Sequence, residues 1–176
     1  MTQKYEAGTY IRYGGAGICL IDRLEEVPYP GAEPMMRLCY VLKPVRNACM
    51  EVSVPLDNET LCGKMQPLRT KAEIEQMLET SGQDDIPLWT EDRKLRAAEF
   101  RQVLAGGEAS ELLRMIRCIL RQRALLLKSG RHLNAADDNA RRDAVRMLEE
   151  EFAFSLGTTA EEAGRWIKAV LKREFM

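Results

Sequence analysis

Arg114, Arg117, Arg121, Arg123, Lys128 and Arg131 fall in a stretch with no acid between Glu111 and Asp137. Cations at that density form charge-assisted bonds to phosphate oxygens. At about 100° per residue, Arg114, Arg117 and Arg121 share a helix face opposite Leu112, Met115, Ile116, Ile119 and Leu120. A solvated helix face has the same pattern, but such faces usually intersperse Glu at i±4. Trp89 offers a second chemistry, with Arg93, Lys94, Arg96 and Arg101 just downstream. An indole can wedge against unstacked bases while neighbouring cations hold the phosphates. It can equally staple a helix start onto a core. Trp166, within Arg165-Trp-Ile-Lys, reads as core.

A third candidate is backbone chemistry. Residues 46–53 are expected at the edge of a small sheet, with Arg46, Glu51 and Ser53 presented to a partner that adds a strand. The alternative is a solvated edge blunted by charge. Enzymatic constellations are not found in the sequence. Gly14-Gly15-Ala16-Gly17 joins two β-rich runs and opens no helix, so it lacks the context of a nucleotide-phosphate loop. Asp84 and Asp85 fall in a linker, Asp137 and Asp138 at a helix start where negative charge is favoured, and His132 has no nucleophile at motif spacing. The five cysteines, at 19, 39, 49, 62 and 118, form no CxxC pair; with a single histidine they make no zinc set. No cofactor, metal or small-molecule substrate is expected, and the chain is expected not to be an enzyme.

The elements that must position these groups follow from periodicity. Runs at 9–13, 17–25, 35–43 and 49–54 are rich in Tyr, Ile, Val, Leu, Met and Cys, several with the two-residue alternation of a half-buried strand. Turn residues separate them at 14–17, 28–34 and 46–48. Four or five short antiparallel strands predict a small open barrel. From Thr70 the period becomes helical, with Thr70 and Glu73 in capping-box register. Further helices are expected at about 90–105, 108–128, 135–156 and 159–173, bounded by Gly106-Gly107, Ser129-Gly130, Asn134, Gly157 and either Thr158 or Thr159. Their short connections imply a compact antiparallel bundle. The expected organisation is a β-domain at 1–80, a linker at 81–88 and a helical domain at 89–176. Net charge is −2 over the first 80 residues and +1 over the rest, so only clustering could mark a polyanion site. The odd cysteine count, the polar N-terminus and the lack of a long apolar run fit a soluble, cytoplasmic protein without a membrane anchor.

In order and spacing the chain resembles the CarD/CdnL family of bacterial transcription regulators, whose first domain is shared with transcription-repair coupling factors. The resemblance rests on Tyr13-Gly14 to Ile18-Cys19, Tyr40-Val-Leu-Lys-Pro44, Val54-Pro55 with Asp57-Asn58, and Lys64-Met65. It continues through Trp89, Arg96, Leu104-Ala-Gly-Gly-Glu108, Arg117, Leu120, Leu133-Asn134 and Leu148 to Leu156. It implies a Tudor-like barrel that docks on the RNA polymerase β subunit, with Arg37, Arg46, Glu51, Val52 and Ser53 as contacts. It also implies a helical domain that contacts promoter double-stranded DNA near the melted region through Trp89, Arg93, Lys94, Arg96, Arg114, Arg117 and Arg121, stabilising the open complex. Three departures stand out: Trp89 lies a helical turn earlier than the wedge tryptophan of many members, Ser53 replaces an arginine found in some, and Asp137-Asp138 replace basic residues of some relatives. The alternative is a protein-interaction adaptor with a purely structural bundle.

Overall fold

The computed structural model describes residues 5–28, 36–47, 49–80 and 86–175. Positions 29–34 and 48 of the expected turns, and 81–85 of the expected linker, lie outside them. The chain divides into two compact units, Met1–Leu68 and Arg69–Met176.

The first unit is a five-stranded antiparallel open sheet. Its strands are β1 (Tyr10–Tyr13), β2 (Ile18–Pro28), β3 (Met36–Pro44), β4 (Val52–Pro55) and β5 (Met65–Pro67), in the order β4-β3-β2-β1-β5. A short helix α1 (Glu59–Cys62) precedes β5, capped where Leu61 N donates to Asn58 Oδ1 at 3.0 Å. Gly14–Ala16 form the tight turn expected between β1 and β2, with Gly14 at φ 45° and Gly17 at φ 73°, a region that glycine enters without a Cβ penalty. The pairings Ile11↔Cys19, Ile21↔Leu42, Tyr40↔Val54 and Tyr13↔Met65 explain the core, because alternate residues of each strand project to one face. Ile11, Cys19, Ile21, Tyr40, Leu42, Val54 and Met65 fill that face. The β2–β3 register shifts between Ile21 and Arg23, leaving Asp22 as a bulge residue. Its carboxyl is held below the ordinary aspartate range by hydrogen bonds from Lys43 first and Arg23 second.

The second unit is helical: α2 (Lys71–Thr80), α3 (Arg93–Gly106), α4 (Ala109–Lys128), α5 (Ala135–Leu156) and α6 (Ala160–Phe175). The helix at 71–80, expected with the sheet domain, belongs here: Ile74 and Leu78 are buried among helical core residues such as Leu113, Leu148 and Phe152. The boundary therefore falls at 68/69. The apolar side of α2 has its complement in α5, which packs against α2, α3, α4 and α6. Capping follows the sequence. Thr70 N donates to Glu73 Oε2 at 2.7 Å and Glu73 N to Thr70 Oγ1 at 3.3 Å; Thr159 and Glu162 repeat the pattern at α6, and Asn134 caps α5. Gly107 and Gly157 end α3 and α5 in the left-handed region. Both tryptophans pack against this core, Trp166 with its ring centroid 6.5 Å from that of Phe152. No helix among the described residues is long and apolar enough to cross a membrane.

No cysteine is in a disulfide, and Cys49 is the exposed one. Burial pushes the Cys19 thiol up to about 11, and no part of Cys19 is exposed. Since the thiolate is the nucleophile, iodoacetamide at neutral pH is expected to modify Cys49 first, with Cys19, Cys39 and Cys118 reacting only on unfolding. Peptide mass mapping over time reads this out, and early labelling of Cys19 would contradict the packing.

Candidate functional site

Among the described residues β4 lies at the edge of the sheet and pairs only with β3, through Cys39↔Pro55, Tyr40↔Val54, Val41↔Ser53 and Leu42↔Val52. Along it Val52 is half-buried, Ser53 exposed and Val54 buried, as strand alternation requires. Arg46 is exposed, and Val45 and Met50, also exposed, flank the approach to the strand. Among the sheet candidates, Glu51 and Arg37 are engaged within the unit. Glu51 accepts from Arg23 NH1 at 3.1 Å and NH2 at 3.3 Å, which lowers its carboxyl pKa, and Arg37 lies 3.6 Å from Asp57.

In the helical unit Trp89 is half-buried. Its ring makes an edge contact with Phe100, centroids 6.2 Å apart, and the Arg96 guanidinium sits 4.1 Å from the ring centroid. Arg96 is 4% exposed. Its Nε donates to Asp137 Oδ1 at 3.2 Å, its NH2 to Asp137 Oδ2 at 2.9 Å, and its NH1 to the Thr90 and Glu91 carbonyls. Asn134 Nδ2 adds a third bond to Asp137 Oδ2 at 2.6 Å. Arg96, expected as a phosphate contact, is thus a buried strut that ties the Trp89 segment to the start of α5. A charge so far from water persists only because carboxylate and carbonyls take its donors.

Arg117 corrects the expectation for α4 in the same sense. It is 1% exposed, because the first half of α4 packs against α3, α5 and α6 rather than on one side only. Of residues 112–119 only Arg114 reaches the surface, where it pairs with Glu111 at 3.0 Å. Arg93 and Lys94 on α3 and Arg121 on α4 are exposed and in no ion pair among the described residues, as are Arg123, Lys128 and Arg131 beyond. Sequence reasoning missed two cation sites. Besides Arg96–Asp137, Arg69 bridges Glu108 and Glu151, with Glu151 itself buried. Both join residues far apart in the chain, where spacing carries no signal; the one local hint was an aspartate three positions after the Asn134 cap.

The helical unit also holds a cavity of about 260 Å³ lined by residues of α3, α4 and the segment before α3, including Trp89, Phe100 and Met115. No protein-family model matches this chain, and no curated protein matches it.

Proposed function

We propose that the chain is a non-enzymatic bacterial transcription regulator of the CarD/CdnL type, acting in the cytoplasm. In this proposal the sheet unit, as a Tudor-like barrel, docks on the RNA polymerase β subunit, and the helical unit contacts promoter DNA near the melted region. The observation that carries it is the β4 edge: one paired side among the described residues, exposed Ser53 and Arg46, and the apolar Val45 and Met50 beside it support strand addition by a partner. In the helical unit, Trp89 beside exposed Arg93 and Lys94 supports base contact, with Arg114 and Arg121 as further phosphate contacts. A protein that binds the melted promoter better than the closed one shifts that equilibrium by its differential affinity. Weak DNA affinity suffices when docking on polymerase raises its local concentration. Four phosphate contacts correspond to a log–log salt slope of about −3.6.

The burial of Arg96 and Arg117 favours a second reading, an adaptor whose sheet edge binds a protein while the helices only brace the fold. Open-complex lifetime on a promoter, with wild type and Trp89→Ala, separates the two. The regulator lengthens the lifetime, and loss of the indole removes stacking of roughly 1–3 kcal/mol, about five- to 150-fold in the equilibrium. No change in lifetime with polymerase saturated by the protein would leave the adaptor.

A further inference from the structure

We propose that the cavity beside Trp89 is a binding site for a single nucleobase that presents an exocyclic amine: adenine, cytosine or guanine. Three features of the cavity point to that ligand. Its size comes first: at about 260 Å³ it falls just below the roughly 300 Å³ at which sites for drug-sized ligands begin, so it takes one ring system. Its walls come next. Trp89, Phe100, Val103, Met115 and Cys118 line it, an aromatic and thioether surface of the kind on which bases stack.

The third feature is a carboxylate. Glu99 lines the cavity half-buried, its Oε2 accepts from Thr90 Oγ1 at 2.8 Å, and no cation pairs with it among the described residues. A carboxylate so placed accepts hydrogen bonds and donates none, which matches an exocyclic amine and mismatches the thymine carbonyls. A simple ammonium ligand fits less well, because the Arg96 guanidinium already occupies a cation position 4.1 Å from the Trp89 centroid. Arg93, one helical turn before Arg96 on α3, is exposed and offers a cation for the phosphate of a bound nucleotide. The cavity therefore holds a base pulled from its stack, with Trp89 as one wall of the slot rather than a blade between base pairs.

The chemistry is shared by a base of single-stranded DNA and by a free mononucleotide. The DNA source rests on the regulator function proposed above, and the experiment separates the two. Short fluorescein-labelled oligodeoxyadenylate, oligodeoxycytidylate, oligothymidylate and an abasic oligomer are titrated with full-length protein by anisotropy. The variants are Glu99→Gln, which removes the carboxylate, and Val103→Phe, which fills the cavity; AMP and CMP serve as competitors. The expected result is adenine and cytosine oligomers bound on the order of tenfold tighter than thymine or abasic ones. Both variants should erase that preference and leave the salt-dependent residue. If AMP and CMP bind more tightly than the oligomers and show the same sensitivity to Glu99→Gln, the site is assigned to a free nucleotide and the DNA source is overturned. Equal affinity for all four oligomers, with no competition by AMP or CMP, overturns the nucleobase site. Lifetime lengthening by wild type without base preference would overturn this site alone, whereas base preference without lifetime lengthening would overturn the regulator function alone.

Discussion

Asp137→Ala is expected to destabilise the helical unit by about 3–5 kcal/mol, because it strands the Arg96 guanidinium in the interior without its carboxylate. That is a large share of the roughly 5–15 kcal/mol that holds a typical domain folded. Urea unfolding followed by tryptophan fluorescence reports it directly. Part of the loss is local. Arg96 also holds the Thr90 and Glu91 carbonyls, so the segment that carries Trp89 loses its anchor, and near-ultraviolet circular dichroism should change before global unfolding. The double variant Arg96→Met/Asp137→Leu removes both charges and should recover most of the stability, since the cost lies in the unpaired ion. A loss below about 1 kcal/mol for Asp137→Ala, within the range of an ordinary exposed ion pair, would mean that water reaches the guanidinium.

Phe152→Ala should cost a similar amount, about 3–5 kcal/mol, by opening a cavity under the helix that all the others of this unit touch. Phe152 is fully buried and contacts Trp166, so the Trp166 environment should change together with the stability. Asp137 and Phe152 are fifteen residues apart on α5, about 22 Å along the helix. The two losses should therefore add to within about 0.5 kcal/mol. A shortfall beyond that would indicate that the two ends of α5 unfold as separate steps.

Local rules read well in this chain and distant ones poorly. The capping boxes at Thr70 and Thr159, the Asn134 cap, the glycine stops at 107 and 157 and the turn at Gly14–Gly17 depend on a few consecutive residues, and each stands where the spacing put it. The three-residue β5 was too short to show alternation, and its place beside β1 is fixed by Tyr13↔Met65 and Arg12↔Gln66, pairs more than fifty residues apart. For α2 the pattern gave the helix but not its neighbours, hence the misplaced boundary. At the candidate site the edge position of β4 was legible because strand length, charge and proline mark an edge. The fates of Arg96 and Arg117 were not. An arginine on a helix wheel is polar by type, and only the number of helices packed around it decides whether it faces water or the interior.

The distribution of aromatic residues gives this molecule an optical property of its own. All five tyrosines lie in Met1–Leu68, and both tryptophans lie in Arg69–Met176. Tyrosine emission thus belongs to the sheet, tryptophan emission to the helices, and resonance energy transfer from one to the other is a native ruler between them. The separation of the two units can then be followed in the unlabelled wild-type chain, during unfolding or when a partner engages either one.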